Sequence, residues 1–144
     1  MGWSLGAQIA IRMAHGDNRI QALMLVTVNP KFAISEDWPH AMSLDLLLNF
    51  EKNYASSASK TLRRFASLQA QGSDKPKFLV AHMTQLMSVK VAKIGGLKLL
   101  QALDERALLS QLSQPCCIQL AKDDELVPCA WIRHMQLPGH VEIN

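Results

Sequence analysis

Gly2-Trp3-Ser4-Leu5-Gly6 opens the chain and runs directly into Ala7-Gln8-Ile9-Ala10-Ile11, a stretch of small and apolar residues. The Gly-x-Ser-x-Gly spacing is that of a tight strand-to-helix turn that holds a serine in a strained backbone conformation with its hydroxyl exposed. Glycines are expected at both flanks, because side chains at 2 and 6 would collide with the neighbouring strand and helix. Leu5, Ile9, Ile11 and Met13, with small Ala7, Ala10 and Ala14, predict a short buried helix that stops at His15-Gly16-Asp17-Asn18. The backbone N–H of Leu5, at the start of that helix, is placed to stabilise an oxyanion on an attacked carbonyl.

Working outward, Ile20 to Val28 is an apolar, β-rich run without the alternation of a half-exposed strand, which predicts a parallel strand covered on both faces. Asn29-Pro30 closes it. Helical periodicity then takes over: Leu44, Leu47, Leu48 and Phe50; Leu62, Phe65 and Leu68; Leu79, Val80, Met83, Leu86 and Met87; and a fourth segment from Leu97 to Leu103. Gly72-Ser73-Asp74 and Gly95-Gly96 are read as the breaks between helices. Gln114-Pro115 introduces a second short buried strand, Cys116 to Ala121, with Asp123-Asp124-Glu125 in the loop after it. Ala130 to Leu137 is read as helical, and His140 to Ile143 as the beginning of another strand. The order is an α/β pattern with a four-helix insertion.

At 144 residues, 49% hydrophobic and 19% charged, the chain can bury a core and is excluded from the disordered, collagen-like and coiled-coil classes. Its apolar stretches are far shorter than the ~20 residues of a membrane span, and no signal peptide is recognisable. A myristoylation reading of Met1-Gly2 fails at Gly6, where the motif wants Ser or Thr. Cys116, Cys117 and Cys129 make no CxxC pair and are expected as reduced, partly buried thiols of a cytoplasmic protein. No histidine falls at zinc-ligand spacing, so no metal is expected. The net charge of +3 conceals an asymmetry: residues 41–100 carry nine basic and three acidic side chains, the rest six and nine. A positive field on one segment favours an acidic partner there; the alternative is a lysine-rich solvated surface.

A serine nucleophile in this order of elements needs a carboxylate after a later strand and then a histidine. Asp124 stands where that carboxylate belongs, with Asp123 and Glu125 as the alternatives. The base is harder to find. His134 lies inside a predicted helix. Pro138-Gly139-His140 imitates the Gly-His of such enzymes, but His140 falls before the last strand rather than after it, so it is read as a surface residue.

With these elements in place, the sequence resembles the α/β-hydrolase superfamily, and within it the carboxylesterases that act on the methyl ester of pimeloyl-acyl-carrier protein in biotin synthesis. The resemblance covers nearly the whole chain and rests on Gly-Trp-Ser-Leu-Gly at 2–6, Glu36-Asp37-Trp38-Pro39, Arg64-Phe65-Ala66-Ser67-Leu68-Gln69, Gly95-Gly96-Leu97, and Asp124 with Leu126-Val127-Pro128. It implies a partial hydrolase core over 1–32, a helical lid over 33–113 and a partial C-terminal core over 114–144. It also implies Ser4 as nucleophile, Leu5 N–H as an oxyanion donor, Asp124 as the acid, and Phe65, Ala66, Ser67, Leu68 and Gln69 as the segment that touches the acyl chain. Lys60, Arg64 and Lys77 match lid positions that grip an acidic acyl-carrier protein, and a fourth such position is Ala81. Independently, Lys60, Arg63 and Arg64 fall on one face of a helix.

No cofactor, nucleic acid or membrane is implied, and a monomer is expected at full length. Complete enzymes of this type run to about 250 residues, so the chain is expected to be truncated at both ends, inactive by itself, with its histidine beyond residue 144. The alternatives are a general short-chain carboxylesterase or thioesterase of the same fold, and a non-catalytic module that binds the carrier protein.

Overall fold

The computed structural model describes residues 1–89, 95–124 and 126–144, and for 87–89 the backbone alone. Glu125, Lys90 and Lys93 therefore lie outside the described residues, as does the side chain of Met87. The chain forms two compact units, one of residues 1–44 with 99–144 and one of residues 45–98. The helical segment expected over 33–113 thus gives its central part to the second unit and its flanks to the first.

The first unit is built on four parallel strands: β1 (Gly2–Trp3), β2 (Leu23–Val26), β3 (Cys116–Gln119) and β4 (Val141–Ile143), hydrogen-bonded in that order. Gly2 pairs with Leu25, Leu25 with Ile118, and Ile118 with Ile143. Since side chains alternate along a strand, Leu23, Leu25, Cys116 and Ile118 share one face, and all four are buried. Helix α1 (Leu5–Gly16) covers that face with Ala7, Ile11 and Ala14, and Val28, Trp38, Leu109, Leu112 and Trp131 complete the core. Burial also pushes the Cys116 thiol up to about 11, with the neighbouring Cys117 adding to the shift. The opposite face is more open, with Trp3 50% and Met24 37% exposed. The expectation of a strand covered on both sides is therefore corrected for β2.

Helix α1 is likewise buried on one side only: Ala7, Gln8, Ile11 and Ala14 face inward, while Ile9 and Met13 are exposed. The expected helix over Ala130–Leu137 is a 3₁₀ helix, Cys129–His134, between Pro128 and the extended residue Met135.

The second unit holds α2 (Leu44–Ser56) from residue 45 on, α3 (Ala58–Gln69), α4 (Pro76–Val89) and the start of α5 (Gly95–Ala102), while α6 (Arg106–Ser110) returns to the first. Gly72 adopts φ 77°, a left-handed turn that suits glycine, and Pro76 opens α4 where no N–H is needed. Gly95 and Gly96 instead form the first turn of α5 rather than a break. Leu47, Tyr54, Thr61, Ala66 and Ala70 are buried, and Phe50 meets Phe65 edge-on at 5.6 Å. Among the described residues, no helix is long and apolar enough to cross a membrane.

Candidate active site

Ser4 sits between the end of β1 and the first residue of α1 with φ 52° and ψ −121°. A non-glycine residue at positive φ is strained by about 1–3 kcal/mol, and such strain persists only where the surroundings enforce it. Here the Ser4 amide donates to Val26 O at 3.0 Å, fastening the turn to β2, while Ser4 O accepts the Ala7 amide at 2.9 Å and begins the helix. Gly2 makes the crossing possible. A Cβ there would run into Gly6 O and stand 2.6 Å from Ala7 Cα. At Gly6, by contrast, an added Cβ meets nothing within 4 Å, so the expectation of a steric need for glycine holds at position 2 and is corrected at position 6. Leu5 heads α1, where the first amides have no carbonyl one turn earlier to donate to.

Asp124 lies in the loop after β3 and is partly buried. Its Oδ1 accepts the amides of Leu126 and Val127 at 2.9 and 3.0 Å, a short turn that fixes the carboxylate's orientation through one oxygen. Because the four strands are parallel, Ser4 and Asp124 both stand at the carboxyl edge of the sheet, where ligand sites of open α/β sheets form. One strand, β2, separates β1 from β3, a span of roughly 9.5 Å. A cleft of about 300 Å³ opens along this edge, lined by Val26, Thr27, Gln119, Leu120, Ala121 and Asn144.

The described histidines of the first unit do not meet this pair. His140 immediately precedes β4, at the edge where the strands begin, and its Nε2 is 2.7 Å from Leu112 O. His134 stacks on His40 with ring centroids 3.9 Å apart, and His15 lies in the last turn of α1. Among the described residues of the first unit, no histidine hydrogen-bonds to Ser4 or Asp124.

In the second unit, Lys60, Arg63 and Arg64 are all exposed on α3, and Lys77 is exposed in the first turn of α4. Of the stretch matched to acyl-chain contact, Ala66 is fully buried inside the unit, Phe65 packs on Phe50, Leu68 is exposed and Gln69 half-buried. Ser67 Oγ donates to Arg63 O at 3.0 Å, one turn earlier. The buried side of α3 runs through Thr61, Leu62, Phe65, Ala66 and Gln69; Leu68, expected on it, is 37% exposed.

Sequence reasoning missed Thr27. It adopts φ 45°, an outlier for a β-branched residue, directly after Val26, and its amide donates to Gln119 O at 2.9 Å. The peptide between Val26 and Thr27 therefore bridges the strand carrying Ser4 to the strand leading to Asp124. Only Asn29-Pro30, two residues on, hinted at a turn.

Comparison with known proteins places this geometry. An esterase from Exiguobacterium antarcticum superposes with a TM-score of 0.82 at 21% identity, over 99% of this chain and 55% of its own. MGS-M2, an alpha/beta hydrolase enzyme from a Medee basin deep-sea metagenome library, superposes over 99% of this chain and 54% of its own, with a TM-score of 0.58 at 19% identity. The chain has the α/β-hydrolase fold. In sequence, the chain is 36% identical over 141 residues to the pimeloyl-[acyl-carrier protein] methyl ester esterase of Nitrosomonas europaea, covering 94% of the chain and 56% of that relative. It is also 36% identical over 133 residues to the biotin biosynthesis bifunctional protein BioHC of Cellvibrio japonicus, covering 90% of the chain and 26% of that protein. No family model matches. The chain spans about half the length of the esterases it resembles.

Proposed function

We propose that the chain is the nucleophile-, lid- and acid-bearing part of a carboxylesterase that hydrolyses the methyl ester of pimeloyl-acyl-carrier protein. The observation that supports this most is the left-handed Ser4 at the carboxyl edge of a parallel sheet, in a sequence 36% identical to an esterase named for that substrate.

In the proposed reaction, Ser4 Oγ attacks the ester carbonyl while a histidine outside residues 1–144 takes its proton. The oxygen that gains negative charge is held by the N–H of Leu5. The histidine, oriented by Asp124, then protonates the departing methoxide, so methanol leaves and the acyl group stays on Ser4. Water, deprotonated by the same histidine, attacks the acyl-enzyme and frees the acid. Lys60, Arg64 and Lys77 supply the positive face for an acidic carrier protein. Lysine keeps the charge but not the bidentate geometry of arginine, so the docking is expected to be salt-sensitive.

Two measurements test the reading. Titrating acyl-carrier protein onto the chain should show binding that weakens with salt. The triple variant Lys60→Gln/Arg64→Gln/Lys77→Gln should lose roughly tenfold, from three screened contacts worth about 0.5 kcal/mol each. Binding that ignores both salt and the substitutions would remove the carrier-docking role and favour a general esterase. Hydrolysis of the carrier-linked methyl ester by the chain should be negligible alone, since losing the base costs several orders of magnitude, and should rise with added imidazole only while Ser4 is intact. Strong turnover without imidazole that disappears in His140→Ala would overturn the assignment of the base.

A further inference from the structure

The second unit turns an aromatic ring out into solvent. Phe78, in the first turn of α4, is 67% exposed, more than any other aromatic side chain among the described residues, and Leu86 on the same helix is 59% exposed. With Ala81, His82 and Gln85, which are exposed as well, they follow the i, i+3, i+4, i+7, i+8 spacing of a single helix face, roughly 12 Å long. The inward side of the helix is a different set: Leu79, Val80, Met83 and Thr84 are half-buried. The Phe78 ring lies parallel to the His82 imidazole, 2° apart with centroids at 6.1 Å, so it is held along the helix while most of its surface stays open.

Single apolar residues on a surface are ordinary, but this stripe sits in a field of one sign. Lys75 and Lys77 stand next to Phe78 in the chain, and Lys60, Arg63 and Arg64 are exposed on α3, which packs against α4. Neither residues 58–69 nor residues 75–89 include an acidic side chain. We propose that Phe78, with Leu86, is an apolar anchor for the acidic carrier protein, an inference that rests on the carrier-protein reading above. Apolar side chains of the carrier cover the ring while its carboxylates meet the neighbouring lysines. A second copy of the chain is disfavoured because two positive faces repel. A bilayer is disfavoured because the broader apolar side of α4 is turned into the unit, which leaves little to insert. An aromatic that becomes covered amid charged contacts is the usual make-up of a binding hot spot. Charge then carries the salt-dependent part of binding, and the ring carries a part that salt does not screen.

The test is titration of acyl-carrier protein onto the chain at low and high salt, comparing wild type, Phe78→Ala, Phe78→Leu and the triple basic variant. Phe78→Ala should weaken binding about tenfold, as for loss of one anchor, by the same factor at both salt concentrations. Phe78→Leu should recover most of that loss, and the circular dichroism of both should be unchanged because the ring lies outside the core. The triple variant should instead flatten the salt dependence. An affinity of Phe78→Ala within about twofold of wild type, beside a weakened triple variant, would remove the anchor and leave the carrier reading standing. No binding by any form would remove both. Release from phosphatidylglycerol vesicles, or loss of a dimer in sedimentation, as the sole effect of Phe78→Ala would assign the stripe to a membrane or to a second copy and overturn the proposal.

Discussion

A single backbone angle separates a surface serine from a candidate nucleophile in this chain. The φ of 52° at Ser4 depends on how closely α1 can pass β1, and that passage depends on Gly2 having no side chain. Gly2→Ala should therefore lower stability by about 1–3 kcal/mol through overpacking. Gly6→Ala, which faces open space on a helix, should leave it unchanged or raise it by about 0.5–1 kcal/mol. Urea unfolding of the two variants decides, and equal losses at both positions would contradict the steric account. The Ser4 turn was legible from five residues because the motif encodes a local geometry. The left-handed Thr27 was not: a threonine in an apolar, β-rich run reads as strand, and only the hydrogen bonds from its neighbours on both sides impose the turn.

Among the elements, the crossover that follows β2 is held by charge rather than by regular structure. Ser35 Oγ donates to Asp37 Oδ1 at 2.6 Å, Arg106 bonds Asp37 at 2.8 Å and Asp104 at 2.7 Å, and the Arg106 guanidinium lies 5.2 Å from the centroid of the Trp38 ring. The Ser35 hydroxyl first, and then Arg106, hold the Asp37 carboxyl down at about 2, and Arg106 lowers Asp104 as well. A carboxylate whose folded pKa lies below its unfolded value of about 3.9 contributes stability that is full above that value and lost as pH falls through the folded one. The clasp should thus hold at pH 5 and release between about pH 4 and 2. Carboxyl-carbon resonances followed through an acid titration should place the Asp37 midpoint near 2, and Arg106→Ala should move it upward. Four helical segments of the insertion were readable from their apolar spacing. The faces they bury were less so: Leu68, like Ile9 and Met13 on α1, is an apolar residue that the packing leaves outside.

For the molecule as a whole, the sheet of the first unit is the dominant feature, and its two faces differ. One is filled by Leu23, Leu25, Cys116 and Ile118 against α1; the other carries exposed Trp3 and Met24 with half-buried Val26 and Cys117. Exposed apolar surface of this kind, beside a two-residue edge strand, favours association. The isolated chain is expected to self-associate as its concentration rises and to bind a hydrophobic dye. Met24→Lys should reduce both while leaving the far-ultraviolet circular dichroism unchanged. A monomer at all concentrations, with no dye bound, would mean that this face is covered in solution.

The sequence by itself determined the class of fold, the serine turn, the position of Asp124 after a strand, and the concentration of positive charge on the helical insertion. These are properties of local spacing and composition, and they survive without knowledge of what packs where. That His140 precedes the last strand was already legible; tertiary structure alone decided that Gly2 rather than Gly6 is sterically required and that Gln8 and Glu105 share one buried oxygen. The last depends on contacts between residues far apart in the chain, such as the 93 positions from Arg12 to Glu105, whereas Gly2 is met by Gly6 and Ala7, where the helix turns back over the strand. Distances of that kind are set by the folded core, and no local pattern records them.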